Sequence, residues 1–420
     1  MIRAKLHKIR QELDHTRIDN IRQHMHDEFH KQNFSTVIGK RDRVAIAVGS
    51  RGINQIDEIV KSVVDEVQKA GAEPFIVPSM GSHGGATAEG QKEILENYGI
   101  SEEKVNAPIV SSMETTRLGE TESGIPVCID RNASEADHII VINRIKPHTE
   151  FKGSIESGLM KMMVIGLGKH KGALNAHNYA VKYGYEKTLT EIGRHIIDKA
   201  NITYGVGIVE NGYGATHTLR VIKGSDIYQE EKQILNIAQK TCPKLPFKSF
   251  DILIVDECGK EISGTGMDTK VIGRIMNIYE DELQEPKITR IILRSLSEKT
   301  HGNAVGVGLA DFVTKNVSEK INFEMTYINC LTAVAPEKAR LPIVCPNDVE
   351  ALKAAIATCG PVDEENIKIV WIKNTSKLGE MYISDGLVNT ARENTRIKFV
   401  GEPETIRLDD DGNLSRHYFE

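Results

Sequence analysis

An alternation between residues 44 and 99 constrains this chain more than any other feature. Val44-Ala-Ile-Ala-Val48 is a short apolar run that ends in Gly49-Ser-Arg51-Gly52. Ile56–Ala70 carries apolar residues at helical spacing and stops at Gly71. Pro74-Phe-Ile-Val77 is a second run, ending in Ser79-Met-Gly-Ser-His83-Gly-Gly, and Ala88–Tyr98 is a second helical stretch stopped by Gly99. Strand, helix, strand, helix in this order specifies a parallel sheet with covering helices. His138-Ile-Ile-Val-Ile142 is a later strand of the same kind and runs out into Asn143-Arg-Ile-Lys-Pro147-His148. Right-handed crossovers bring the carboxyl ends of parallel strands to one edge, where open α/β sheets bind ligands. Arg51, His83 and His148 each lie just past such an end, so three loops converge on the expected site.

At 420 residues the chain is too long for one small domain, since domains average roughly 150 residues. Pro243, Pro246 and Lys248-Ser249 mark a linker, after which Phe250–Val255, Ile288–Leu293 and Ile367–Ile372 read as further strands. The expected fold class is α/β in two domains, each a largely parallel sheet covered by helices, with the active site in the cleft between them. An N-terminal domain is expected over 1–245 and a C-terminal α/β domain over 250–375. The sequence leaves open whether the 376–420 tail returns to the first domain. Residues 1–40 read as helix, because Leu6, Ile9, Leu13, Ile18, Ile21, Met25 and Phe29 recur at three-to-five-residue spacing. His26 and His30 share a helix face there but lack a third metal ligand.

Charge and cysteine usage exclude several classes. Lys plus Arg is 53 against 59 for Asp plus Glu, a formal charge of −6, and no basic run stands out. Nucleic acid and an anionic membrane surface are therefore not expected partners. Apolar runs such as Ile139–Ile142 and Met162–Ile165 are far short of the ~20 residues that a spanning helix needs. The N-terminus has no apolar stretch of signal-peptide type. No two of the six cysteines are spaced as CxxC, which argues for reduced thiols in a cytoplasmic protein.

Glycine-rich loops invite a nucleotide reading and fail it. Gly166-Leu-Gly168 has Lys171 where a dinucleotide fingerprint needs a third glycine, and Gly264-Thr-Gly266 continues to Thr269. No GxxxxGK[ST] segment is present.

The most informative stretch runs from Lys146-Pro-His148 through Glu156-Ser157-Gly158-Leu-Met-Lys161-Met-Met to His177. Lys161 sits between methionines, where an amine must lower its pKa, find a partner or be covalently modified. The plainer alternative is a helix whose lysine snorkels to water and whose histidines cap loops.

In Arg51 after a strand, the Gly-Ser-His83 loop, Pro-His148, the Ser157-Gly158…Lys161 segment and then His177, the chain resembles the nickel-pincer lactate racemases and their 2-hydroxy-acid racemase and epimerase relatives. The resemblance spans about residues 45–275. It implies a nickel-pincer nucleotide, pyridinium-3-thioamide-5-thiocarboxylic acid mononucleotide with nickel, joined to Lys161 through a thioamide. It implies His177 as the nickel ligand, His83 and His148 as the paired acid/base groups, and Arg51 as the holder of the substrate carboxylate. Ser157, Gly158 and His170 fall where they would border the cofactor. The substrate-contacting lysine of the second domain has two matches, Lys260 and Lys270. The implied reaction is inversion of C2 in a small 2-hydroxy acid, with separate maturation enzymes supplying the cofactor.

Two other readings stay open on sequence grounds. One is a 2-hydroxy-acid dehydrogenase with a freely exchanging nicotinamide cofactor. The other is a non-catalytic carboxylate- or metal-binding protein. His301, Asp268 and the Asp409–Asp411 run carry weaker signals, and the last lacks the spacing of a calcium loop. Homo-oligomer formation is left open.

Overall fold

The computed structural model describes residues 5–50, 52–363, 365–415 and 419. Arg51 lies outside the described residues. The chain forms two compact units, Asp14–Cys242 and a second built from Met1–Leu13 with Pro243–Glu420. Among the described residues no helix is long and apolar enough to cross a membrane.

The Asp14–Cys242 unit is organised by a sheet in the order Glu73–Pro78, Arg43–Val48, His138–Arg144, Ile202–Glu210, Thr216–Lys223. Neighbours are parallel through the first four strands, and the last pair is antiparallel. The apolar runs are continuous because both faces are buried. Val44, Ile46 and Val48 join the core that contains Ile59, Val60 and Val63 of the Ile56–Lys69 helix. Ala45 and Ala47 point the other way, into the core that holds Leu159, Met160, Met163 and Val164. The segment carrying Lys161 thus packs on the sheet face that bears Ala45, Ala47, Val77 and Val141.

The second unit has a mixed sheet. Ile343–Cys345, Phe312–Thr314, Lys287–Leu296, Ser249–Cys258 and Ile369–Ile372 run parallel. Glu380–Ser384, Lys5–Gln11 and Ile397–Phe399 then continue it antiparallel. Residues 5–11 are therefore a strand, and the helix expected over 1–40 begins only at Ile21, where Asn20 accepts a hydrogen bond from Gln23 N at 3.0 Å. The spacing of Leu6 and Ile9 misleads for a physical reason. On a strand buried on both faces, residues three apart point to opposite sides, and these two enter different cores. The described residues beyond 376 belong to this unit, and Glu404–Thr405 also pairs with Lys5–Gln11.

Candidate functional site

Because Arg43–Val48 lies between two parallel neighbours, the loops after all three strands open on one edge of the sheet. The first two are tied by a hydrogen bond between Ser50 Oγ and His83 Nδ1. The third is pinched shut where Lys146 and Ser157 exchange backbone bonds, Lys146 N to Ser157 O at 2.9 Å and Ser157 N to Lys146 O at 3.2 Å. Inside that excursion the buried Glu156 carboxylate accepts from His148 N at 2.5 Å. Asn143 Nδ2 donates to Gly158 O at 2.8 Å, so the end of the central strand holds the start of the Lys161 segment.

That segment is a single α turn, Leu159–Lys161, followed by a π-helical turn over Met162–Gly166. π turns inserted in helices are rare and concentrate at functional sites. Here the turn buries Met162, Met163 and Val164 while Lys161 stays half-buried. Beneath its start lies Glu231, fully buried, whose Oε2 accepts from Met160 N at 2.9 Å. A Cβ on residue 158 would sit 2.4 Å from Glu231 Oε1, so only glycine fits there. Desolvation raises Glu231 to about 7, against the weaker pull of the Met160 and Leu159 backbone donors. The folded protein then binds more protons than the unfolded chain between the ordinary glutamate range and about pH 7, and stability falls as pH rises through that window. Glu231→Gln keeps the acceptor for Met160 and removes the titration. It should gain on the wild type by about 2 to 3 kcal/mol between about pH 5 and 8 in denaturant titrations. A stability difference that is flat with pH would contradict this.

His148 lies 8% exposed and its Nδ1 accepts the Glu150 backbone N–H at 3.0 Å. In the neutral ring the proton is therefore on Nε2, and Nε2 faces Lys161 Nζ. The His148 ring packs 4.6 Å from Phe151, and Phe151 stacks on Tyr185 at 5.1 Å with the planes 5° apart. Tyr185 Oη in turn meets His177 Nδ1 at 3.3 Å. Desolvation first, and then the Lys161 charge, push His177 down to about 4. The imidazole is neutral through the physiological range, the form that ligates metals.

A buried polar relay supports the His83 loop. Lys169 and Asp130 are both fully buried, with Nζ and Oδ2 3.1 Å apart. Lys169 Nζ also donates to Pro78 O and, at 3.3 Å, to Gln91 Oε1. Gln91 Nε2 then donates to Gly81 O at 2.9 Å and His83 O at 3.2 Å. Lys169 adopts φ +54, an uncommon left-handed conformation for a side chain of this kind, at the head of the Lys169–Tyr183 helix that carries His177.

The structure thus gathers His148, Lys161 and His177, with Ser157 and Gly158 at the base of the same segment, and puts His83 on a neighbouring loop of the same sheet edge. His170 is exposed at the second position of the Lys169–Tyr183 helix. In the other unit, Lys260 Nζ donates to Asn329 Oδ1 at 3.1 Å. Lys270 lies in the short Thr269–Ile272 helix capped by Asp268, whose own N–H donates to Thr375 Oγ1 at 2.9 Å. These loops follow Ser249–Cys258 and Ile369–Ile372, parallel neighbours at the point where the strand order reverses. Among the described residues no three His, Cys, Asp or Glu side chains gather as a metal site.

Sequence reading missed Tyr185, Phe151, Glu231 and the Asp130–Lys169–Gln91 relay. Glu231 had a signal, since it occupies the second position of the stripe Ile227, Glu231, Ile234, Leu235, Ala238. A carboxylate inside a helical apolar stripe must be buried and partnered.

Residues 4–188 match the lactate racemase N-terminal domain family. The fold is similar to that of the lactate racemase apoprotein from Thermoanaerobacterium thermosaccharolyticum, at 14% sequence identity and a TM-score of 0.51, over 89% of this chain and 99% of that one. A search of curated proteins finds no significant match.

Proposed function

We propose, for a chain whose residues 4–188 belong to the lactate racemase N-terminal domain family, an isomerase that inverts C2 of a small 2-hydroxy acid. The observation that carries the reading is the grouping of Lys161, His148 and His177 on one short stretch of the Asp14–Cys242 unit. A nickel-pincer nucleotide fits these residues. Tethering needs an amine at the site, and Lys161 supplies one, half-buried on the turn beside His148. A nickel ligand must be a neutral imidazole, which burial makes of His177. With no protein cluster to complete a metal site among the described residues, the remaining donors would come from the nucleotide. Bound there, the group supplies an acceptor that takes the C2 hydrogen as hydride and returns it.

The protein's part is proton handling and orientation. Ser50 Oγ engages Nδ1 of His83 and leaves its Nε2 for the chemistry, whereas His148, whose Nδ1 takes the Glu150 N–H, presents Nε2 as a proton donor beside Lys161. One histidine takes the substrate hydroxyl proton as the 2-keto acid forms, and a histidine returns it after the acid has presented its other face. Imidazole is the side chain that can both take and give a proton near neutral pH. Arg51 is the proposed carboxylate clamp, a planar fork for two oxygens. Lys260 and Lys270, both on the stretch that follows Ser249–Cys258, are the two proposed candidates for the substrate lysine. Ser157, Gly158 and His170 are proposed to border the nucleotide, and separate maturation enzymes to supply it.

His83→Ala and His148→Ala should keep nickel and the Lys161 adduct while turnover falls about 10²- to 10⁴-fold, unequally for the two enantiomers. Full activity in either variant would remove the two-base scheme. The reaction itself is tested with one enantiomer of a panel of 2-hydroxy acids, deuterated at C2, in ordinary water with cofactor-loaded enzyme. The expected product is the opposite enantiomer with deuterium still at C2. Solvent hydrogen at C2 would rule out hydride transfer. Oxidation that requires added NAD or NADP would favour a dehydrogenase, and binding without turnover a carboxylate-binding protein.

A further inference from the structure

We propose that Tyr185 is a positioning residue that fixes the His177 tautomer: its phenol oxygen accepts the Nδ1 proton and leaves Nε2 as the lone-pair nitrogen for a metal. The meaning for nickel rests on the function proposed above, whereas the tautomer is a property of the protein alone.

Gly184, at φ +81, turns the backbone sharply between the Lys169–Tyr183 and Tyr185–Lys199 helices. Tyr185 therefore starts a new helix that returns alongside the one bearing His177. Its side chain is 7% exposed, and its Oη reaches His177 Nδ1 at 3.3 Å. The rings meet edge to face, with centroids 6.0 Å apart and planes at 74°. Such a geometry places the phenol oxygen near the imidazole edge and not over its face. The other side of Tyr185 is fixed by parallel stacking on Phe151, which itself packs on His148. A tyrosine wedged in this way cannot rotate its oxygen off His177 without breaking the stack beneath the proposed base.

Neutral histidine has one N–H and one lone pair, and a metal can use only the lone-pair nitrogen. Free imidazole side chains prefer the proton on Nε2, the nitrogen a ligand role would need bare. A partner on Nδ1 that can accept a proton reverses the preference, which is how metal-binding histidines are oriented in general. Tyr185 is the Nδ1 partner of His177.

The experiment compares wild type with Tyr185→Phe, which keeps the ring and its stack and deletes only the hydroxyl. Imidazole ¹⁵N shifts of the apoprotein read the tautomer directly. His177 is expected with its proton on Nδ1 in the wild type and shifted toward Nε2 in the variant, while His148 keeps its own tautomer as an internal control. In protein loaded with the nickel nucleotide, the variant should lose nickel about 10- to 100-fold more readily at equal Lys161 adduct mass. Identical His177 tautomers in the two apoproteins would overturn the proposal. If the tautomer shifts as stated but wild-type Lys161 never acquires an adduct, the functional reading fails and the Tyr185–His177 coupling stands.

Discussion

Replacing Lys161 by methionine is expected to abolish the cofactor adduct and bring 2-hydroxy-acid inversion to background, with the fold intact. Methionine matches the length of the lysine stem, and residues 160, 162 and 163 around it are already methionine and buried. The substitution removes a half-buried amine from an apolar turn, so thermal stability should hold or rise slightly. Lys161→Arg is the sharper companion. It keeps the positive charge and the stem but offers a guanidinium, which stays protonated and is not acylated under conditions where an amine is. Both variants should carry no adduct by mass and invert no substrate. Inversion by the methionine variant above background, measured by chiral separation of the product, would show that the tether is elsewhere or absent.

The largest stability effect is expected at the Asp130–Lys169 pair. Both side chains are fully buried, and in each case desolvation is the leading influence: Asp130 is raised and Lys169 lowered despite their attraction. Each ion is thus tolerated only beside the other. Lys169→Met leaves the Asp130 carboxylate buried without its cation and should cost about 3–5 kcal/mol. For a unit of this size that corresponds to roughly 6–20 °C in melting temperature. The paired replacement Asp130→Asn with Lys169→Met removes both charges and should recover most of the loss. Calorimetry of the three variants decides the matter, since additive losses in the double variant would mean the pair is not coupled. Lys169 also bonds Pro78 O and Gln91, so the single variant should loosen the His83 loop beyond its effect on stability.

Much of the sheet of the Asp14–Cys242 unit was legible because its strands are buried on both faces and therefore read as unbroken apolar runs. Val44–Val48, Pro74–Val77 and His138–Ile142 all lie within observed strands, and the helices after the first two fall where the spacing put them. The antiparallel pair Ile202–Glu210 and Thr216–Lys223 was not seen. Glycines at 205 and 207 interrupt the first of these strands, where side chains of Leu159 and Ile145 press close. At the site, single polar residues after strands were visible, and so was the lysine among methionines. What sequence could not show is which partners those side chains meet. The π turn after Lys161 has no composition of its own. Tyr185 reads as an ordinary helix-start aromatic until the fold brings it onto His177. Lys169, between Gly168 and His170, has no apolar flanks to mark it as buried; its desolvation comes from elements distant in sequence.

Peptide mapping by mass spectrometry of protein produced beside a pincer-synthesis pathway decides whether Lys161 carries the cofactor. The account predicts a nickel-bearing nucleotide adduct on the peptide containing Lys161 and on no other lysine. An unmodified Lys161 peptide, when the same pathway loads a known racemase in parallel, would contradict it.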